Sequence, residues 1–569
     1  MKRLQHSKNF FLMLICFITY PSFCYSSENT QFNYISTAIQ SVITADEHPY
    51  LNKRIFLAYK KIVDDLYFVS PQHLLWLNKD ELNNQNIMAV LKLISTAKQS
   101  GLEEEHYNLS LLRTQWQQLK DQPDSSFNQL ATLDIAISIN LFHFLSDLHF
   151  GRINPLTLAF NFVPNKNSSK FVPLILNAIQ TNEIDKLANK VEPHHPIYRS
   201  LKTALLNYRQ LNATPYPNKI RYISSIHVGE TAPQIIAIRQ QLKHLGIQTS
   251  YKNTASCLFD DNLLNSIKTF QIHHGLMDDG VIGRETIKAL NIPLSKRIQQ
   301  IELAMERFRW LPKIQTDSLV IVNIPAFQLW AYNTRDTNSS NVLNMKVIVG
   351  ESVKSKSPVF TADMYYVEFS PYWNIPKSIT IEEILPKLEE NALYLEQQNM
   401  ELVTGFHNNE IPVLYTEDSI TQLKNGLLKI RQRPGEKNAL GKVKFIFPNK
   451  HNVYLHDTPS QELFNKPKRD LSHGCIRVEK PTELASFLLE SKPGWNQKET
   501  LKAMQLQQPK QVRLKKPIPV IIFYSTALAI KDKIYFYNDI YDYDAKLNQA
   551  LIKHSNRQKA HFSTLLSSN

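Results

Sequence analysis

The spacing of apolar residues changes period part-way along the chain, and nothing else in the sequence constrains the fold as strongly. Between about Leu51 and Arg209 apolar residues recur every three or four positions: Ile87, Leu91 and Ile94 with Gly101 as a stop, then Leu133, Ile137, Leu141, Phe144 and Leu148 ending near Gly151. That period gathers them on one stripe of a helix. From about Ser318 the period falls to two, in Met345, Val347 and Val349, in Val443, Phe445 and Phe447, in Val453 and Leu455, and in Ile534 and Phe536. Alternation sends successive side chains to opposite faces of a strand. The expected fold class is therefore α+β and multidomain, and 569 residues is enough for roughly three or four domains.

Between these regions, residues 230–292 form a compact unit. Ile238, Leu242 and Leu245 repeat at helical spacing and stop at Gly246, Leu264, Ile267 and Phe270 do so again, and Asp279-Gly280 turns the chain into a short helix with Ile287 and Leu290. The predicted organisation is a helical scaffold domain over 45–220, a three-helix module over 230–292, a β-rich domain over 318–540 and a C-terminal tail over 541–569. A mainly helical stretch over 376–435, with Ile381 to Gln397 broken at Pro386, interrupts the strands. An insertion that long inside a domain reads as a lid over a site. Asp134, Asn140, His143 and Asp147 on the longer N-terminal helix argue against a membrane span. His143, beside the apolar stripe, reads as a packed or capping histidine.

With 43% hydrophobic and 20% charged residues, the chain is neither disordered nor low-complexity. A net charge of +14 points to an anionic partner, but the basic residues are dispersed and no nucleic-acid motif is present, so nucleic acid is not an expected partner. Lys2, Arg3 and Lys8 precede the apolar run Phe10 to Tyr20, and Pro21 with small or polar residues through Ser27 follows. This is the layout of a secretory signal over 1–26, and the run is shorter than the ~20 residues that span a bilayer. Phe23 before Cys24 speaks against lipid attachment. Cleavage near Ser26 leaves a net charge of +11 and removes Cys16 and Cys24, so that Cys257 and Cys475 remain. Neither lies in a C-x-x-C pair, which excludes a thiolate metal site. Cys257, ahead of Leu258 and Phe259, reads as a small buried hydrophobe. His273-His274 reads as polarity at a helix end, with no third metal ligand in view.

The most informative string is Ser472-His473-Gly474-Cys475-Ile476-Arg477. A thiol attacks only as thiolate, so a catalytic cysteine needs a histidine or positive charge nearby and a small neighbour that leaves room for attack. The string supplies His473, Arg477 and Gly474, and glycine is scarce here, 14 in 569 residues against a usual ~7%. Upstream, in Asn452-Val453-Tyr454-Leu455-His456-Asp457, the apolar Val453 and Leu455 point one way, so Tyr454 and His456 share the other face. If 473 to 477 is also extended, two short strands bring His456 to Cys475.

His456, fifteen residues, then Ser472-His473-Gly474-Cys475-x-Arg477 resembles the signature of the YkuD-type L,D-transpeptidases, secreted enzymes that cross-link peptidoglycan through a cysteine. Phe270-Gln271, His273-His274-Gly275-Leu276, Asp279-Gly280-Val281-Ile282-Gly283 and Thr286 resemble the peptidoglycan-binding module of wall enzymes. The larger YcbB-like branch combines such a module with a helical scaffold and a capping insertion, and further likeness lies in Leu75-Trp76-Leu77-Asn78, Phe308-Arg309-Trp310-Leu311-Pro312, Asn323-Ile324-Pro325-Ala326-Phe327, Pro371-Tyr372-Trp373-Asn374-Ile375-Pro376, Arg433-Pro434-Gly435 and Leu455-His456-Asp457-Thr458-Pro459.

The resemblance implies a nucleophilic Cys475, with His456 as proton acceptor and donor and with His473, Gly474 and the Cys475 N–H at the oxyanion. It implies substrate contacts from Ser472 and from Arg477, which either orients a substrate carboxylate or holds the loop. Tyr454, Tyr372, Trp373 and Asn374 either shape the substrate channel or pack a core. It further implies donor and acceptor peptide stems as partners, other wall-synthesis proteins at the N-terminal domain, no metal or organic cofactor, carbapenem sensitivity, and a role in wall biogenesis and cell shape. The expected location is the periplasm, or the inner membrane if the signal stays uncleaved. Competing expectations are an L,D-carboxypeptidase or cysteine endopeptidase, which would use the same Cys475 and His456, and a wall-binding scaffold with no catalysis.

Overall fold

The structure, a computed structural model, describes residues 26–566 apart from 70–72, 78–84, 123–124, 163–165, 215–217, 248–254, 314–315, 334–341, 406–409 and 531–532. The expected signal segment up to residue 25, with Cys16 and Cys24, and Asn78 of the Leu75-Trp76-Leu77-Asn78 stretch lie outside the described residues. The fold is α+β, with a helical N-terminal region, a helical module and a β-rich C-terminal domain. The described residues form two compact units, one made of those up to 94, 107–143 and 168–187, the other of those in 95–106, 144–167 and from 188 onward.

In the first unit the helical stripes bury as their period requires, with Ile87, Val90, Leu91 and Ile94 sequestered on the helix Gln85–Ser95 and Leu133, Ile137 and Leu141 on the helix Phe127–Phe150. The helix Phe127–Phe150 is long and apolar enough to cross a membrane by length and composition, and most of it is buried within the protein. Its Asp134 shows why a charge is tolerated there. The carboxylate accepts the backbone N–H groups of Leu75, Trp76 and Leu77 at 2.9–3.0 Å and the Tyr67 hydroxyl, and Trp76 Nε1 donates to Ser138 Oγ at 2.8 Å. A buried ion needs such a complete set of donors. Burial still pushes the Asp134 carboxyl up to about 6. His143 packs edge-on to Tyr107 at 5.1 Å and beside Tyr59 at 5.8 Å, the packed histidine expected.

The second unit holds the strands: β1 Phe160–Asn161, β2 Ser318–Asn323, β3 Gln328–Asn333, β4 Leu343–Gly350, β5 Val359–Phe369, β6 Trp373–Asn374, β7 Met400–Thr404, β8 Ile411–Val413, β9 Lys429–Gln432, β10 Val443–Ile446, β11 Leu455–His456, β12 Asp470–Ser472, β13 Ile476–Val478, β14 Lys510–Phe523, β15 Ala527–Ile530 and β16 Lys533–Phe536. The main sheet runs β1-β5-β10-β11-β13-β4-β3-β2-β14, and β14 also pairs with β5, so the sheet closes on itself. Closure removes the exposed strand edges that invite wrong pairing. The alternating residues Met345, Val347, Val349, Val443, Phe445 and Leu455 point into one core, against which the helices Pro196–Asn212 and Leu294–Arg309 pack. The stretch read as a C-terminal tail is helical over Tyr543–Leu566, with Tyr543 and Leu547 inside this core.

The module has its three helices, Gln234–His244, Asp261–His273 and Arg284–Leu290, around Ile238, Leu242, Phe259, Ile267, Phe270 and Leu290. Two readings of it change. Cys257 is half-buried and Phe259 is the core residue, because Phe259 forms hydrogen bonds that turn its side chain inward: its N–H reaches Glu230 O and its carbonyl accepts from Gly229. His273-His274 is not surface polarity: His274 is buried between the rings of Phe270 and Phe536, and His273 meets Tyr535 edge-on at 5.1 Å, so the pair joins the module to β16.

The insertion over 376–435 is less helical than expected. Besides the short helices Leu385–Glu390, Tyr394–Gln397 and Ser419–Asn425 it contains β7, β8 and β9, which with β6 make a four-stranded sheet in the order β6-β9-β7-β8 around its own apolar core. Its strands are three to five residues long, too short for alternation to stand out against the flanking helical pattern.

Candidate active site

Strand register builds the site. β11 runs parallel to β13 with Leu455 opposite Ile476 and His456 opposite Arg477; β10 sets Lys444 opposite His456, and β5 sets Glu368 opposite Lys444. Val367, Phe445, Leu455 and Ile476 fill the core face. Alternation then puts Glu368, Lys444, His456 and Arg477 in one row on the opposite face. Ile476 N–H donates to Tyr454 O at 3.1 Å, which continues the pairing and brings Cys475 alongside Tyr454, diagonal to His456. Diagonal neighbours of this kind lie about 7–8 Å apart at Cα and interact through longer side chains.

The strand expected over 473–477 is interrupted. β12 ends at Ser472, His473 to Cys475 form a bend, and β13 begins at Ile476. The reason is Gly474, at φ +109°, a backbone conformation that a side chain strains. The bend is held from several sides. Ser472 Oγ donates to Cys475 O at 2.5 Å and accepts from Gly474 N at 3.3 Å, while Ser472 O accepts from Glu351 N and Ser355 Oγ. Ser357 Oγ donates to Gly474 O at 2.8 Å and accepts from Gly350 N at 2.9 Å. Gly350 has no room for a side chain, since a Cβ there would sit 2.0 Å from Ser355 O. Tyr541, near the start of the C-terminal helix, donates its hydroxyl to Gly350 O at 2.5 Å and accepts from Ser357 N at 3.2 Å. Ser472 thus holds the bend.

Cys475 is a half-buried free thiol, and Cys257 is also free. Its Sγ lies 3.9 Å from the carbonyl of Asn452, which sits in a turn fastened by the Asn449 side chain. Burial pushes the thiol up, while hydrogen bonds from the Tyr454 backbone and side chain and the charges of Lys444 and Arg477 pull it back. Burial drives His456 down to about 3, helped by Arg477 and Lys444. The ring Nδ1 is 2.6 Å from Asp457 O, so Nδ1 carries the proton and Nε2 keeps a lone pair. The thiol therefore rests among Tyr454, Lys444, Arg477 and the Asn452 carbonyl, with a neutral imidazole at the diagonal register position. Lys444 Nζ lies 4.2 Å from the centre of the Tyr454 ring, and burial lowers the ammonium. Arg477 Nε is buried with no hydrogen-bond partner among the described residues.

The remaining predicted residues lie elsewhere. His473 turns its Nε2 to Glu383 Oε1 of the insertion at 2.5 Å. Tyr372, Trp373 and Asn374 form the base of the insertion: Arg431 lies over the Tyr372 ring at 4.2 Å, Trp373 packs on the insertion's core, and Trp373 and Asn374 pair with Gln432 and Arg431. Asn438 ties this base together, donating to Pro371 O and Arg433 O at 3.0 Å.

Residues 317–509 match the family model for the L,D-transpeptidase catalytic domain, and every residue of the row and the bend from Gly350 to Arg477 lies within that span. The chain carries an L,D-transpeptidase catalytic domain. Residues 61–205 match a scaffold domain and 231–290 a putative peptidoglycan binding domain. The chain is 32% identical over 274 residues to a putative L,D-transpeptidase of Haemophilus influenzae, a match that covers 47% of this chain and 54% of that protein. It spans about half the length of that relative. Among solved structures, an L,D-transpeptidase from Xylanimonas cellulosilytica aligns at 12% identity over 53% of this chain and 99% of that one, with a TM-score of 0.16.

The sequence reading missed Lys444, Glu368, Gly350, Ser357, Glu383 and Tyr541. Lys444 had a signal, since it lies between the alternating Val443 and Phe445 and so had to face away from the core. Tyr541 had none, because it reaches Gly350 only through β14, which follows the L,D-transpeptidase catalytic match and closes the sheet.

Proposed function

We propose that the protein is a peptidoglycan L,D-transpeptidase that acylates Cys475 with a donor tetrapeptide stem and passes the acyl group to the side-chain amine of a diamino acid in a second stem. The observation that carries this reading is the row of Lys444, His456 and Arg477 on one sheet face, with Cys475 and Tyr454 brought alongside at its end, inside the matched catalytic domain. His456 Nε2 takes the thiol proton as Sγ attacks the carbonyl between the third residue and the terminal D-alanine. Lys444 and Arg477 favour the transient thiolate, and the Cys475 N–H, with the Gly474 backbone, faces the developing oxyanion. The C–N bond breaks, and D-alanine leaves with the proton from His456. The amine then attacks the thioester, C–S breaks as C–N forms, and the product is a 3→3 cross-link. Arg477, half-buried at the end of the row, is suited to a substrate carboxylate.

The reaction belongs outside the cytoplasm, on the signal-like N-terminus and the wall-enzyme domains, and the thioester's exposure to water gives the insertion its use as a cap. Product analysis on defined tetrapeptide muropeptides tests the reading. Cross-linked dimers are expected; shortened monomers alone would make the protein a carboxypeptidase, and full function with Cys475→Ala would make it a scaffold.

A further inference from the structure

The acylation chemistry assigned to His456 leaves the contact between cap and nucleophile loop unused. Glu383 sits on the π-helical turn Thr380–Ile384, and its Oε1 is 2.5 Å from His473 Nε2, with side chains 44% and 55% exposed. π-turns are uncommon and recur at functional sites, where an extra residue redirects a side chain. This turn is anchored, since Ile379 and Ile384 on either side of Glu383 are buried in the cap's core. The geometry is that of an imidazole fixed by a carboxylate at one nitrogen, an arrangement that orients the ring.

The second half-reaction needs such a group. The acceptor arrives from water as an ammonium ion and must lose a proton before its nitrogen can attack. The strand floor is a poor station for it. Lys444 and Arg477 repel a cation there, and His456 is buried with its Nδ1 committed to Asp457 O. The accessible edge carries the opposite charge, with Glu382 and Glu383 on the turn beside His473, two residues before the nucleophile.

We propose that Glu383 and His473 form the acceptor station: Glu383 receives the incoming ammonium and His473 takes the proton that frees its lone pair. The neutral amine attacks the Cys475 thioester, the C–S bond breaks as the amide C–N bond forms, and the second amine proton passes through His456 to the departing thiolate. This rests on the transpeptidase reading above.

The test follows the two half-reactions separately in the full chain, comparing wild type with Glu383→Gln and His473→Gln. Acyl adduct on Cys475 is timed by mass spectrometry, and its partition is measured among water, a diamino-acid stem and hydroxylamine, which is neutral at pH 7 and needs no proton removed on arrival. Glu383→Gln is expected to acylate at the wild-type rate, to lose transfer to the ammonium acceptor by about ten- to a hundredfold, and to keep transfer to hydroxylamine. His473→Gln is expected to show the same selective loss. Unchanged partition in Glu383→Gln, an equal loss with hydroxylamine, or a loss of acylation itself would each overturn the acceptor station. If wild type forms no adduct, the failure belongs to the transpeptidase reading.

Discussion

On the strand floor His456 is 5% exposed and fastened to a backbone carbonyl, whereas at the cap edge the His473 side chain is 55% exposed and fastened to a carboxylate. The floor is set by sheet register over four strands and cannot shift without disturbing the core behind it. The cap has its own core and sheet and meets the nucleophile loop through half-exposed side chains. Acyl transfer to an amine needs both kinds of place. Proton exchange with the thiol belongs where water is scarce and electrostatic effects are strong, while a charged acceptor has to be met from solvent.

The sharpest way to break this division is His456→Gln. It should slow Cys475 acylation by about a hundred- to ten-thousandfold, and rapid-mix mass spectrometry reads the rate. An equal loss of acylation in His473→Gln would mean that the two histidines do not divide the work. Next in size is removal of the cap. If the chain lacking residues 380–430 folds, its hydrolysis should rise relative to transfer by about tenfold, in line with the loss of a water-excluding cover; an unchanged product ratio would leave the insertion without that role.

Acid stability probes the floor when wild type is set against a His456 variant. With His456 at about 3 in the folded protein and 6.5 unfolded, the unfolded chain binds the extra proton between those values. The contribution is therefore complete above pH 6.5 and is lost as pH falls through the window, reaching about 2 kcal/mol by pH 5. Denaturant titrations of wild type and His456→Gln at pH 7 and 5 should show a shallower decline in the variant, although His48, held at about 4 by burial, titrates in both. Comparable in size is Tyr541→Phe, which removes one buried hydroxyl from Gly350 O and Ser357 N. It should cost about 1–3 kcal/mol and slow acylation without altering the partition between amine and water, because it acts on the nucleophile bend and not on the cap.

What the sequence disclosed follows the same division. The floor was legible because alternation in Val453 and Leu455 dictated where Tyr454 and His456 had to point, and because Gly474 marked a backbone need in a glycine-poor chain. The bend at 473–475 was misjudged as strand, since alternation alone does not register a left-handed residue. The cap was legible in extent but not in content, its strands being too short to set a period. Its contact with His473 depends on which way a π-turn aims Glu383, and no spacing rule reports that. His273-His274 looked polar because their ring partners, Phe536 and Tyr535, lie more than 250 positions away. Tyr541 is hidden in the same way, reaching the nucleophile bend from beyond a sheet that closes only in three dimensions.

The central claim, that Cys475 carries the acyl group on its way from one peptide stem to another, is tested most directly by intact-protein mass spectrometry on a single turnover with a defined tetrapeptide stem. The account predicts release of one D-alanine per protein, a matching acyl adduct mapped to Cys475, and its discharge into a cross-linked dimer when an amine-bearing stem is added. Dimer formed with no adduct on Cys475, or an undiminished yield from Cys475→Ala, would contradict it.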